Sequence, residues 1–133
     1  MSPVYVDSSA LVKLLVREAE SDALRRYLSS AGPLTSSILA TVEVARAVAR
    51  SAPDSSAAVA AVFETLSVLA FDARIAARAA ALSPAGLRAL EAIHLATALE
   101  LADELAAFVS YDDRLSAAAR DLGMPVVSPA SDA

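Results

Sequence analysis

The chain contains no cysteine, three glycines, one lysine and one histidine in 133 residues. The absence of cysteine removes disulfides, thiolate metal ligands and a cysteine nucleophile together, and it agrees with a reducing cytosol. Carboxylates and one histidine remain as candidate ligands. Gly32, Gly86 and Gly123 lie too far apart for a loop that cradles phosphate, so P-loop and dinucleotide-binding readings fail. A haloacid-type phosphatase needs a second acid two residues after the first, where Ser9 stands. A receiver-type phosphoacceptor needs a lysine after a late strand, and the only lysine is Lys13. No apolar run approaches the roughly 18 residues of a membrane span. The opening Met-Ser-Pro-Val-Tyr-Val-Asp has neither a basic segment nor a long hydrophobic stretch. The expectation is a cytoplasmic protein with no membrane contact.

A chain of this length suits one domain, since two cores would leave each half too small to bury enough apolar surface. The expected domain covers 1–128, with 129–133 as a frayed tail. The apolar fraction is 56%, but 33 residues are alanine, which favours helix and adds little burial per residue. The net charge of −5 opposes loose binding to nucleic acid, which needs a basic surface. Without Asp7, Glu43, Glu91 and Asp112, however, 12 acids face 11 bases, and ten of those bases are arginine, which grips phosphate in a bidentate fashion.

Val4 to Val6 reads as a strand ending at Asp7, with Ser8-Ser9 as cap for a helix from Ala10 to Arg17. A helix from Ala19 to Ser30 ends near Gly32-Pro33, and Leu34-Thr35 form a stub of strand. Ser36 or Ser37 caps a long helix to about Ala52. Another helix runs from the Pro53-Asp54-Ser55-Ser56 break to about Leu66. Ser67 to Phe71 is the next strand, and Asp72 caps a helix to about Leu82. Ser83-Pro84-Ala85-Gly86 is a loop. Leu87 to Leu105 reads as one helix, Ala106 to Ser110 as a buried strand, and Asp112 to Leu122 as a helix stopped by Gly123, with Val126-Val127 beyond Pro125. Short apolar strands alternating with helices specify an α/β class with parallel strands and helices on both faces.

Ligands of open parallel sheets bind at the carboxyl ends of the strands, where Asp7 and Asp112 fall by pattern. The plain alternative is that each caps the helix after it. Glu43 and Glu91 sit inside helices among apolar neighbours. Val42 and Val44 flank Glu43, and Leu87 and Leu95 lie one turn to either side of Glu91. A buried carboxylate needs a partner. The alternatives are ion pairs to Arg46 and Arg88, or a hard divalent cation, Mg²⁺ or Mn²⁺, shared by all four acids. One cation site accounts for the four together, and its chemistry is metal-assisted phosphodiester hydrolysis. Lys13, Arg17, Arg46 or Arg50 would then hold flanking phosphates. His94, one turn after Glu91, reads as a packed, hydrogen-bonded residue. Ser8, Ser9 and Ser110 either orient the neighbouring acids or cap helices.

Four ordered stretches resemble the motifs of PIN-domain ribonucleases, among them the VapC-type toxins of bacterial toxin–antitoxin pairs. They are Val4-Tyr5-Val6-Asp7-Ser8-Ser9, Thr41-Val42-Glu43-Val44-Ala45-Arg46, Leu87-Arg88-Ala89-Leu90-Glu91-Ala92-Ile93-His94-Leu95-Ala96, and Phe108-Val109-Ser110-Tyr111-Asp112-Asp113-Arg114-Leu115. The resemblance implies a three-layer α/β/α sandwich around a parallel sheet, with Asp7, Glu43, Glu91 and Asp112 as catalytic and metal-holding residues. It also implies a Mg²⁺- or Mn²⁺-dependent endoribonuclease acting on tRNA, rRNA or mRNA, a homodimer, and inhibition by a cognate antitoxin protein. One departure is visible: Glu91 stands where the family motif usually carries Asp. A DNA or flap nuclease with the same pocket, or a non-catalytic PIN-like module binding RNA or protein, are the alternatives.

Overall fold

In the computed structural model, which describes residues 1–130, five short strands form one parallel sheet. They are β1 (Val4–Val6), β2 (Leu34–Ser37), β3 (Ser67–Leu69), β4 (Ala107–Val109) and β5 (Val126–Val127), in the spatial order β3-β2-β1-β4-β5. Tyr5 of β1 stands opposite Thr35 on one side and Phe108 on the other. β1 and β4 are buried along their whole length, as β-branched and aromatic residues in the middle of a two-sided sheet require.

Among the described residues seven α-helices connect and cover the strands: α1 (Ser8–Lys13), α2 (Ser21–Ser29), α3 (Ile38–Ser51), α4 (Ser56–Glu64), α5 (Ala73–Ala81), α6 (Ala89–Leu99) and α7 (Asp113–Asp121). The alternation of side chains along β1 divides the core in two. Val4 and Val6 pack with Leu11 of α1, Leu24 of α2, Val44 and Val48 of α3 and Val59 of α4. Tyr5, on the opposite face, packs with Leu95 of α6, Phe108 of β4 and Leu115 of α7. The result is the expected three-layer α/β/α sandwich. Helix α5 packs on α6, where Ile75 and Ala79 meet Ala92 and Ala96, small side chains that let the two helices approach closely.

Several expected boundaries move. The helix expected from Ala10 to Arg17 is α1, which starts at Ser8 and ends at Lys13. Its cap is Asp7, whose side chain accepts the Ala10 N–H, and not the Ser8-Ser9 pair. At its end the Leu14 and Leu15 N–H groups bond three residues back, tightening the chain out of the α-helical path. The helix expected over Leu87 to Leu105 spans only Ala89–Leu99. A separate 3-10 turn follows at Ala102–Glu104, with Ala102 in the left-handed region at φ 44°. The strand expected to reach Phe71 stops at Leu69, and the Phe71 side chain is exposed. Of the expected tail, Pro129 is tied by its carbonyl to the Tyr111 hydroxyl, and residues 131–133 lie outside the described residues.

Helix α3 begins where expected. The Ser37 hydroxyl oxygen accepts the Leu39 N–H at 3.1 Å, and the serine is fully buried at the end of β2. Replacing Ser37 by Ala is expected to cost about 1 kcal/mol through the lost cap. Urea denaturation checks this, and an unchanged midpoint would show that the cap contributes nothing.

Candidate active site

Strand order sets the position of the site. From β1 the chain moves outward through β2 to β3, then returns to place β4 on the other side of β1. The crevice between the carboxyl ends of β1 and β4 is therefore the topological switch point, where open parallel sheets bind their ligands. Asp7 follows β1 directly and Asp112 lies three residues beyond β4. Glu43 reaches the same place from the second turn of α3, and Glu91 from the first turn of α6. All four line one small cleft of about 100 Å³, together with Ser8, Ser9, Leu90, His94 and Leu115.

Each acid is held differently. Asp7 is 1% exposed, and its two oxygens divide the work. Oδ1 accepts the Ser9 hydroxyl at 2.7 Å and the Ala10 N–H at 2.9 Å, while Oδ2 accepts the Ser110 hydroxyl. The two serines are fixed in turn: Ser9 Oγ accepts the Tyr111 N–H and Ser110 Oγ accepts the Asp112 N–H. Burial pushes the Asp7 carboxyl above its ordinary value, against the lowering effect of Ser110, Ser9 and the Ala10 N–H. Asp112 caps α7 by accepting the Leu115 N–H at 3.0 Å. Both aspartates thus cap helices, as the plain alternative held, and both also face the cleft.

Glu43 is not paired with Arg46, the partner its sequence neighbourhood offered. Its Oε1 accepts the Ser8 hydroxyl at 2.8 Å and lies 2.6 Å from His94 Nε2. Partial burial alone would raise its carboxyl, but the hydrogen bonds to His94 and the Ser8 hydroxyl outweigh burial and hold it below the usual range. Glu91 Oε1 accepts the Arg88 backbone N–H at 2.8 Å and the Arg114 Nε–H at 2.9 Å. The expected Arg88 partner is thus its backbone, closing the start of α6, and the ion pair is to Arg114. Here too desolvation is outweighed, by the Arg88 N–H and the Arg114 guanidinium, and the Glu91 carboxyl lies low.

The donor set fits a hard divalent cation, because the donors on offer are carboxylate and hydroxyl oxygens, both ring nitrogens of His94 being engaged by Tyr5 and Glu43. It is not drawn together in advance. Among the described residues no group of three or more His, Cys, Asp or Glu side chains surrounds a single metal position. Arg114 holds Glu91, and the four acids share a cleft without converging on one point. The basic side chains expected beside them also differ from expectation. Lys13 is paired with Glu18 and Glu20, and Arg17 with Asp22. Arg46 and Arg50 lie on α3 and line a separate surface hollow with Ala45 and Ala49.

One residue at the site was read without its partners and another was not assigned at all. His94 is packed, as expected, but its partners are Tyr5 and Glu43. Its place one turn after Glu91, on the same helical face, was the available signal. Arg114 gave none, since 23 positions separate it from the carboxylate it pairs with.

Comparison with known proteins bears on the family and the fold. Residues 4–121 match the PIN domain family. Ribonuclease VapC46 of Mycobacterium tuberculosis (strain ATCC 25618 / H37Rv) is 47% identical over 129 residues, covering 97% of this chain and 99% of its own. A chain of a toxin-antitoxin complex from Klebsiella pneumoniae superposes with a TM-score of 0.73 at 23% identity, over 97% of this chain and 99% of that one. Mycobacterium tuberculosis VapC20, described as a sarcin-ricin loop cleaving toxin, superposes with a TM-score of 0.72 at 18% identity, over 86% and 94%. At those identities the two structures speak for the fold, while the family match and the 47% relative speak for descent. The match over residues 4–121 and relatives 47% and 37% identical along nearly the whole chain place it in the PIN domain family, within its VapC ribonuclease branch.

Proposed function

We propose that this chain is a toxin-type endoribonuclease that hydrolyses RNA phosphodiester bonds at the cleft of Asp7, Glu43, Glu91 and Asp112. The observation that carries this reading is the meeting of four carboxylates, from the ends of two strands and the starts of two helices, in one crevice. Ribonucleases of this family depend on a divalent metal. Mg²⁺ or Mn²⁺ suits the all-oxygen donor set, with Asp7, Glu43 and Asp112 as holders and Glu91 joining them once it leaves Arg114.

When bound, such a cation polarises the scissile phosphate and supplies activated water. The chain does the rest. Ser9, Ser110 and the Ala10 N–H fix the Asp7 carboxylate against rotation, so its orientation is set before any ligand arrives. Glu43, held below its ordinary pKa, stays an anion at neutral pH and is able to accept a proton or hold a cation. Arg114, half-exposed at the rim and paired with Glu91, is placed to meet a phosphate when Glu91 turns inward. Uncompensated, four carboxylates would repel RNA, so binding of polyanion and divalent cation must be coupled.

A cognate antitoxin that inhibits the enzyme, a homodimeric assembly and a cytoplasmic site of action complete the proposal. Among the described residues no helix is long and apolar enough to cross a membrane. The RNA is a tRNA, rRNA or mRNA with the cut in a single-stranded or looped stretch.

End-labelled total RNA, incubated with purified protein freed of antitoxin in Mg²⁺, Mn²⁺ or EDTA, tests the reading. Discrete fragments that appear with either metal and vanish with EDTA are expected. Cleavage of single-stranded DNA in preference to RNA would favour the DNA or flap nuclease. Metal binding without cleavage of any nucleic acid would favour a binding module.

A further inference from the structure

Glu43 sits on a helix at the mouth of the cleft with its side chain 28% exposed, and a glutamate so placed has several rotamers open to it. It adopts one because a chain of hydrogen bonds from the middle of the sheet ends on it. The chain begins at Tyr5, a fully buried residue of β1 stacked on Phe108 with ring centroids 5.2 Å apart. The Tyr5 hydroxyl is 2.7 Å from His94 Nδ1, and the other ring nitrogen, Nε2, is 2.6 Å from Glu43 Oε1. The Ser8 hydroxyl, 3.4 Å from Nε2, donates to the same Oε1.

We propose that His94 is a positioning residue for Glu43, a role that rests on Glu43 belonging to the catalytic centre. The direction of the hydrogen bonds follows from the groups. A carboxylate offers only lone pairs, so Nε2 must carry the hydrogen that Glu43 accepts. In the neutral ring Nδ1 is then an acceptor, and the Tyr5 hydroxyl donates to it. The imidazole is thereby locked in one tautomer and one orientation. Glu43 Oε1 is engaged on its inner side, and Oε2 has no hydrogen-bond partner among the described residues.

The placement explains why a histidine does this. Tyr5 lies two residues before Asp7 on β1, and His94 lies three residues after Glu91 on α6. One rigid ring therefore bridges the strand that carries Asp7, the helix that carries Glu91 and the helix that carries Glu43. An aliphatic residue of similar size would fill the space and hold none of them in register. Pinning Glu43 beforehand removes rotamer entropy that cation binding would otherwise have to overcome.

The test uses the full chain and Mn²⁺ alone, by titration calorimetry, with thermal melting as the control for folding. His94→Leu is expected to weaken Mn²⁺ binding about 10- to 100-fold, the range for a lost group that orients a ligand. His94→Gln, which still offers an N–H to Glu43, is expected to recover most of the loss, and Tyr5→Phe to show a smaller one. Since His94 acts through Glu43, the losses of His94→Ala and Glu43→Gln should be strongly non-additive in the double variant. That cycle also serves if His94→Leu does not fold. In the metal-free protein ¹⁵N NMR of this single histidine should show a protonated Nε2 and an unprotonated Nδ1. Unchanged Mn²⁺ affinity in folded His94→Leu, additive losses in the cycle, or the reverse tautomer would each overturn the role of His94 while leaving the site intact. Unchanged Mn²⁺ binding in Glu43→Gln would overturn the reading of the site itself, and the positioning role with it.

Discussion

Replacing Asp7 by Asn is expected to lower cleavage about a thousandfold or more, the scale of losing several kcal/mol of charge stabilisation at a metal-assisted centre. The same change is expected to leave the metal-free fold as stable as before, or more so. An asparagine oxygen can still accept from Ser9 and the Ala10 N–H, and its amide can donate to the Ser110 oxygen, so the hydrogen-bond network survives. What disappears is a charge in a site almost closed to water. Burial raises the Asp7 carboxyl above 3.8, so the folded state holds this proton more tightly than the unfolded chain. Its contribution to stability is therefore complete below the ordinary aspartate range and is lost as pH rises through the folded value. At pH 7 the wild-type protein bears that penalty and the variant does not. Thermal melts without metal should place the variant at or above the wild type. Added Mg²⁺ should raise the wild-type Tm by mass action and leave the variant unmoved. A wild-type cleavage rate in Asp7→Asn would remove Asp7 from the mechanism. A large fall in its metal-free Tm would show that the carboxylate is structural.

Glu91 gives the second large effect, and it separates two roles in one side chain. Glu91→Ala is expected to cost about 1 kcal/mol, because the Arg88 N–H at the start of α6 loses its acceptor. The Arg114 pair adds little to that figure, since the arginine is half exposed and solvent screens the interaction. Cleavage should fall roughly a hundredfold, the order for a lost group that completes or orients a metal centre. Glu91→Asp restores the residue usual in the family motif. It is one methylene too short to keep the Arg88 contact, so the loss of stability should persist while cleavage stays within about tenfold of the wild type. Urea denaturation and initial cleavage rates, measured on both variants, resolve the two contributions. If Glu91→Ala loses only stability, the residue is a helix cap and the centre is built from the other three acids.

The same two residues mark how far the sequence could be read. Asp7 was legible because a three-residue apolar strand ending in an acid fixes both its element and its edge of the sheet. Glu91 was legible as a site residue because its helical neighbours are apolar, but its partner was not. Local spacing offered Arg88, whereas the guanidinium that reaches it belongs to α7, across the crevice. Glu43 shows the same pattern: Arg46 is near in sequence, yet Ser8 from α1 and His94 from α6 are near in space. Helix ends were the least legible elements. Leu99 to Leu105 keeps a helical composition, and nothing in it announces the end of α6 at Leu99 or the left-handed Ala102 beyond it, on the way to β4.

By itself, then, the sequence determined what depends on neighbours along the chain: the alternation of strand and helix, the parallel sheet, the capping role of Asp72, and the strand-end or apolar-helix setting of each acid that lines the cleft. These follow from periodicity and from turn chemistry, which act over a few residues. The tertiary structure alone decided which groups hold those acids. Strand order β3-β2-β1-β4-β5 puts the ends of β1 and β4 side by side and lets α1, α3, α6 and α7 converge there. Hydrogen bonds and ion pairs fall off within a few ångströms, so the partners of a buried carboxylate are chosen by what the fold brings within reach. Sequence distance, 51 residues for Glu43 and His94, carries no information about that choice.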